Sequence, residues 1–561
     1  MKTVEAVVEA LEALSVEYVF GYPGGRVIEL FEALADSPIE VIRPRDERQA
    51  SVMAELYGRR TGKPGVLAGQ GPWIASIGAI GQMEARLGSS PMVVLTEASE
   101  RGEYAQLAPY QQASGEYGGL DIGSVLEGIT TEQWQPGTPA ETVRAVQLAF
   151  KHARAGRPGP TAVVFDGDAI TAEYPSNPTP PVWEARAQAR TWHAGPAIDD
   201  LEQAGAELAA ADRPVIVAGN GVHAADAYEE LLAVAETFDA VVTTSYLGKS
   251  TIAENHERAA GVIGSFGHEP ANTIVSEADV LLVVGSRLNP MDTNWLADGF
   301  IRPDEQTLIH ADVDPRNAGW VYPASVGLIG DAAETLLALA EHDGGTNDWA
   351  LDRAREARSA FTPTEYANDG DTVAPQHAAM AISEVIDSET IVTADSGNNR
   401  FWLLQYLQTA APGTYFGSGG VGGMGWAPPA ALSAALTTQN DVVCVTGDGG
   451  FAMTMTAVET AVEYDLSPTF VILNDTGLGM VRQMDEAIPG VTFPETDFVA
   501  IADAFGADGI RIESTATLKS TLGDAIERSS PVVVDIPIDP SVQMSDLLAS
   551  SFYERVGGLH E

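Results

Sequence analysis

Short apolar runs alternate with longer helical stretches along nearly the whole chain. In the first part the runs are Tyr18–Phe20, Val66–Ala68, Met92–Leu95 and Ala162–Phe165. In the middle they are Val215–Ala218, Ala240–Thr244, Val280–Val284 and Leu308–Ala311. The last part has Thr390–Thr393, Val442–Val445, Thr469–Leu473 and Val532–Ile536. Strands this short and apolar, spaced by helices, predict parallel sheets covered on both faces. The fold class expected is therefore α/β, with doubly wound parallel sheets.

Two polar segments interrupt the alternation. EYPSNPTPP at Glu173–Pro181 is proline-rich, and EHDGGTND at Glu341–Asp348 is polar and glycine-containing. Both read as exposed linkers. They divide the chain of 561 residues into three domains at about 1–175, 195–345 and 370–545. No short-period repeat is visible, which excludes a solenoid.

Composition narrows the setting. The start, MKTVEAVVEALEAL, lacks a basic segment, an apolar core and a cleavage site, and reads as an amphipathic helix rather than a signal peptide. No run of 18 or more apolar residues predicts a membrane span. The single cysteine, Cys444, allows no intrachain disulfide. It lies in an apolar run and reads as a buried small hydrophobe. These features point to the cytoplasm. The net charge of −48 is the unusual quantity. Lysine occurs only at positions 2, 63, 151, 249 and 519, and the acids are scattered rather than massed in a tail. This is a whole-surface property of the kind halophiles use. Such a surface repels nucleic acid.

The candidate chemistry lies in the last third. A strand ending near Thr446 runs into Gly447-Asp448-Gly449-Gly450, and a helical stretch, Met453–Tyr464, follows. A second strand then ends in Asn474-Asp475-Thr476-Gly477, with 24 residues between Gly449 and Asn474. Both clusters are at strand carboxyl ends, where open α/β sheets bind ligands. Glycines let backbone N–H groups approach an anion at a helix start. Asp448 and Asp475 are hard oxygen donors suited to Mg²⁺ or Ca²⁺, with a diphosphate completing the shell.

This pattern resembles the signature of thiamine diphosphate enzymes, and other family segments occur in order around it. Gly417–Ala431 reads GSGGVGGMGWAPPAA, close to the family's SGGLGTMGFGLPAA. By that likeness the Gly422 carbonyl accepts from the cofactor's aminopyrimidine, and Met424 is the apolar wedge that bends the cofactor. Ser396, Gly397, Asn398 and Asn399 occupy a second diphosphate-side loop, and Gly477, Leu478, Gly479 and Met480 border the reaction cavity. The resemblance implies Asp448, Asp475 and Gly477 as metal ligands, with Mg²⁺ as the ion. Asp475 stands where the family has asparagine, which implies one more negative charge and tighter metal binding.

Thiamine chemistry also needs a carboxylate that hydrogen-bonds a pyrimidine nitrogen and shifts the amino group toward its imino form; the cofactor then serves as an electron sink. RDERQASVMAELYGR at Arg45–Arg59 resembles the acetolactate synthase segment carrying that glutamate, and places Glu47 in the role. The preceding FGYPGG, with Pro23 and Gly24, matches as well. Gly71-Pro72 begins a pyrimidine-side loop, but Trp73 follows where glycine is usual, and either narrows the pocket or packs elsewhere. In this family Glu47 and Asp448 would come from different subunits, which implies a homodimer or homotetramer.

The middle part (RPVIVAGNG at 213–221, ADVLLVVGSR at 278–287, IHADVD at 309–314) resembles the central domain of acetolactate synthase-like proteins, which binds FAD in several members. Arg287 is kept there, Asn289-Pro290 replaces an acidic pair, and FAD is left open. The resemblance implies decarboxylation of a pyruvate-like 2-oxo acid with carboligation, as in branched-chain amino acid biosynthesis. Two departures concern the acceptor: Met484 replaces a tryptophan, and Tyr117–Asp121 (YGGLD) lacks the family's glutamine. Arg482 either offers a cation to a substrate carboxylate or faces outward. The alternatives are a non-carboligating decarboxylase, a flavin-linked pyruvate oxidase-like enzyme, and an inactive cofactor-binding paralogue.

Overall fold

The computed structural model describes residues 1–98, 111–116, 118–360 and 372–544. It contains three six-stranded sheets, and every strand pair recorded in them is parallel. The first runs Glu40–Ile42, Tyr18–Tyr22, Gly65–Gly69, Met92–Glu97, Pro160–Phe165, Glu132–Trp134. The second runs Val326–Ile329, Thr307–Asp312, Val280–Val284, Pro214–Ala218, Val241–Thr244, Ala259–Val262. The third runs Tyr415–Gly417, Ile391–Ala394, Val442–Gly447, Thr469–Asn474, Val532–Pro537, Asp508–Arg511.

All twelve apolar runs read from the sequence are inner strands, and the six edge strands are additional. The inner strands are buried on both faces. In the middle sheet Val280, Leu282 and Val284 join one core while Leu281 and Val283 join another. Each five-residue strand thus buries all its side chains, which is why it reads as a continuous run rather than an alternation. Cys444 is fully buried in the third sheet.

The described chain forms two compact units. One comprises residues 1–192 with 420–423 and 432–437; the other holds the second and third sheets together. Within the latter, Tyr246, Val262 and Phe266 share a core with residues of the third sheet. The Tyr246 hydroxyl donates to the Ser418 carbonyl at 2.6 Å, and the buried Lys249 ammonium joins the Glu254 carboxylate to the Leu407 carbonyl. Positions 370 and 545, the expected bounds of the third domain, lie outside the described residues, as does Tyr117. Among the described residues no helix is long and apolar enough to cross a membrane.

Two expectations need refinement. The helical stretch after the glycine cluster is two helices, Asp448–Thr454 and Ala457–Glu463, the first beginning directly at Asp448. The GNG at 219–221 is also accounted for by packing. A Cβ on Gly219 would lie 2.5 Å from the Gly285 carbonyl oxygen, and one on Gly221 2.5 Å from the Gly285 Cα. These glycines permit two backbones to touch.

Candidate active site

Strands Val442–Gly447 and Thr469–Asn474 are neighbours in register, Gly447 opposite Leu473. Their carboxyl ends therefore deliver Asp448 and Asp475 side by side. Gly447 caps the helix Asp448–Thr454 from an extended conformation, so the turn from strand to helix is immediate. Beyond Asp475 the chain turns through Thr476, a non-glycine residue with φ of 54°. The loop is held there: Leu478 N–H donates to Val491 O, and Phe493 N–H to Thr476 O, both at 2.8 Å. A left-handed threonine is costly and persists only where surrounding contacts impose it.

One cleft of about 770 Å³, open mouth included, gathers the expected residues of the third domain. Ser396, Gly397, Asn398 and Asn399 line it with Met424, and so do Gly447, Asp448, Gly449 and Gly450. Asp475, Gly477, Leu478, Gly479 and Met480 complete the set. Pro375, Trp402, Gln483 and Val542 also line it, residues that the sequence motifs do not mark.

The electrostatics of the cleft favour a cation. Burial, and then the neighbouring Asp475 carboxylate, push the Asp448 carboxyl up to about 7. Asp475 is also raised, by burial, against the opposing effect of Arg482. Asp448 Oδ1 and Asn398 Oδ1 are buried and have no hydrogen-bond partner. Orphaned acceptors in a native cleft call for an unseen donor or ion. Two adjacent carboxylates with raised pKa and an unsatisfied oxygen fit a divalent cation with oxygen ligands. Arg482 does not face outward: its guanidinium pairs with Asp475 at 2.6 Å. Asn474 is not free to ligate, since its amide nitrogen donates to Asp535 at 2.9 Å and its oxygen accepts from Thr476 N–H.

Asp395 organises the floor of the cleft. It is fully buried and accepts from Gly425 N–H, Trp426 N–H, Ser396 N–H and the Thr446 hydroxyl at 2.8–3.0 Å. A Cβ on Gly450 would come within 2.2 Å of its Oδ2. One carboxylate thereby ties together the strand before the glycine cluster, the helix start and the segment carrying Met424.

The remaining expected residues, Pro23, Gly24, Glu47, Pro72 and Gly422, belong to the first unit. Pro23 and Gly24 follow strand Tyr18–Tyr22, and Pro72 lies in a short helix after Gly65–Gly69; Tyr22 and Gly69 are register partners. Glu47 is the first residue of helix Glu47–Thr61, whose N-cap, Asp46, accepts from Gln49 N–H at 2.9 Å. Burial holds the Glu47 carboxyl above its ordinary range despite its position at a helix start. Trp73 is 42% exposed and donates through its indole to Gln70 at 3.0 Å, so it packs beside the loop.

The chain matches three family descriptions in order. They are the thiamine pyrophosphate enzyme N-terminal TPP binding domain over residues 1–116, the central domain over 201–339, and the C-terminal TPP binding domain over 395–536. It is 32% identical to a probable acetolactate synthase large subunit of Methanocaldococcus jannaschii, over 96% of this chain and 92% of that protein. The chain belongs to the thiamine pyrophosphate enzyme family. Other relatives of this thiamine pyrophosphate enzyme carry the same kind of name. A probable acetolactate synthase large subunit of Methanococcus aeolicus is 31% identical over 97% of this chain and 93% of its own length. The acetolactate synthase isozyme 3 large subunit of Escherichia coli is 29% identical over 96% of this chain and 95% of its own length. Two of the three matched domains are thus of the kind that bind thiamine diphosphate, and the cleft lies in the C-terminal one.

Proposed function

We propose that this enzyme decarboxylates a pyruvate-like 2-oxo acid and joins the remaining fragment to a second 2-oxo acid, as an acetolactate synthase serving branched-chain amino acid biosynthesis. The observation that carries the reading is a carboxylate pair at two adjacent strand ends, Asp448 buried and Asp475 half-buried, in a chain similar over nearly its whole length to acetolactate synthase large subunits. Asp448, Asp475 and the Gly477 carbonyl would hold Mg²⁺, which in turn holds the diphosphate. Thiamine diphosphate supplies an electron sink for the carbanion left when carbon dioxide departs. Glu47, whose carboxyl burial raises, holds a proton against the pyrimidine nitrogen. The Gly422 carbonyl accepts from the amino group, and Met424 shapes the cavity. The active unit is a homodimer or homotetramer, in which Glu47 of one subunit serves the cleft of another.

The reading is independent of FAD, whose presence in the central domain the visible spectrum of the purified protein tests. Full-length protein purified in high salt and supplied with pyruvate, thiamine diphosphate and Mg²⁺ is expected to form carbon dioxide and acetolactate. Carbon dioxide with an aldehyde and no acetolactate points to a plain decarboxylase. Flavin absorbance together with flavin reduction by pyruvate and no acetolactate points to the oxidase. Neither carbon dioxide nor acetolactate overturns the proposal.

A further inference from the structure

Helices Glu47–Thr61 and Ala79–Gly88 bury a line of charges to which the cofactor reading gives no role. Glu55, Arg59 and Glu84 are 0%, 6% and 1% exposed. Arg59 Nε donates to Glu55 Oε1 at 2.9 Å, and Arg59 Nη2 lies 3.2 Å from Glu84 Oε1. The Ser90 hydroxyl also donates to Glu55, at 2.7 Å. A carboxylate so deeply buried is costly unless its oxygens find donors.

The other donors to Glu84 come from far along the chain. Gly420 N–H donates to Oε1 at 2.7 Å; Val421 N–H and Gly422 N–H donate to Oε2 at 2.8 and 3.3 Å. Three successive backbone N–H groups converging on one anion form a nest, here filled by a side chain of the same unit. Gly422 has φ of 70°, a conformation that favours glycine, so the chain turns directly beyond the third N–H. The segment is also tightly seated. A Cβ on Gly420 would lie 3.0 Å from Gly88 N, and one on Gly423 3.1 Å from Ile80 Cδ1.

We infer that Glu84, clamped by Arg59, is a positioning residue that fixes the backbone from Gly420 to the Gly422 N–H and so anchors the residue whose carbonyl is proposed to meet the cofactor. Holding three N–H groups on one side fixes the planes that carry the Gly420 and Val421 carbonyls; the Gly422 carbonyl, in the next plane, is then one torsion away, beside Gly423, which is seated against Ile80. The arrangement rests on the proposed role of Gly422 as acceptor for the aminopyrimidine. It requires no direct contact between Glu84 and cofactor.

The test is the rate at which the thiazolium C2 proton of bound thiamine diphosphate exchanges with deuterium, read by NMR on quenched full-length holoenzyme. In E84Q the rate is expected to fall at least about tenfold, as for other small misplacements of a reacting group. Affinity for thiamine diphosphate with Mg²⁺ should stay within about threefold, since the diphosphate end is proposed to be held by Asp448, Asp475 and the Gly477 carbonyl. An unchanged exchange rate in folded E84Q overturns the inference. If the wild-type protein exchanges C2 no faster than free cofactor, the proposed function fails instead. Should E84Q not fold, amide hydrogen exchange over the 420–422 peptide of the unaltered protein tests the same clamp. Protection supports it, and exchange as fast as in an open loop overturns it.

Discussion

Arg482 Nη2 lies 2.6 Å from Asp475 Oδ2, and its Nη1 donates to the Asp475 carbonyl at 3.0 Å. The aspartate that replaces the family's asparagine therefore brings its own counter-charge seven residues later. The expected surplus of negative charge at the proposed metal site is offset, not free. Arg482 would compete with a cation for the same carboxylate oxygen. R482T is expected to tighten Mg²⁺ about tenfold, and D475N, which leaves the guanidinium uncompensated, to weaken it about tenfold, the size of one charge-assisted hydrogen bond. D475N/R482T should return within about threefold of wild type. Mg²⁺ titrations of the four proteins at fixed thiamine diphosphate check this; weakening in R482T would mean that the guanidinium supports the loop and does not balance charge.

The same carboxylates set a pH dependence. Asp448, pushed up to about 7, binds a proton in the folded metal-free state that it does not bind unfolded in neutral solution. Its contribution to the stability of the metal-free protein is therefore fullest below the ordinary carboxylate range and is lost as pH rises toward 7. Mg²⁺ must displace that proton, so its apparent affinity should fall by up to about tenfold per pH unit below 7 and level off above it. Melting temperatures with and without Mg²⁺ should diverge more at pH 8 than at pH 6. An equal Mg²⁺ effect at both would show that Asp448 is already ionised.

Glu47 starts a helix whose capping is done by Asp46, so its own side chain is spare for chemistry. E47Q is expected to leave the melting temperature within a few degrees while lowering carbon dioxide release from pyruvate by about 10²-fold or more, as for loss of a general acid–base group. Equal rates in E47Q and wild type would remove Glu47 from the mechanism.

Asp395 offers a contrasting case, where structure and site are the same contact. D395N places an amide donor against N–H and O–H donors that now meet a carboxylate. A loss of about 2–4 kcal/mol is expected from buried donors left without acceptors, measured by denaturant unfolding, together with weaker thiamine diphosphate binding. Unchanged stability would mean that the segment around Met424 is held by its packing alone.

The inner strands and the cleft were legible because each is local. A strand buried on both faces is a continuous apolar run, and the glycine and aspartate clusters are contiguous in sequence. The edge strands were not. Glu40–Ile42, Glu132–Trp134 and Asp508–Arg511 mix charge with apolar residues because one side lies open, and Ala259–Val262 and Tyr415–Gly417 are short and include glycine. The roles of Glu84 and Arg482 were illegible for another reason. Each depends on a partner that only folding supplies, and a charged residue in a helical stretch reads as a solvated face until its burial is known. From the sequence Arg482 reads as a substrate ligand or an outward arginine; its partner in the fold is Asp475, a residue the sequence points to for metal binding.

The surface charge carries the last expectation. A net charge of −48 spread over both units repels itself in the compact state. The described ion pairs engage many of the arginines, as at Arg353 with Glu277 and Arg511 with Asp535, so the excess acids have few cations left to meet. At about 0.1 M salt the screening length is about 10 Å and neighbouring surface carboxylates still interact; at about 1 M it is about 3 Å and they do not. The melting temperature is therefore expected to rise by about 5 °C or more between those concentrations, which at about 1 °C per kcal/mol for a protein of this size corresponds to about 5 kcal/mol of repulsion relieved. The dependence should be the same for KCl and NaCl if screening is the cause, and larger for kosmotropic salts only if apolar burial dominates. Scanning calorimetry across a salt series distinguishes the two, and a melting temperature independent of salt would show that the acids are far enough apart for water alone to screen them.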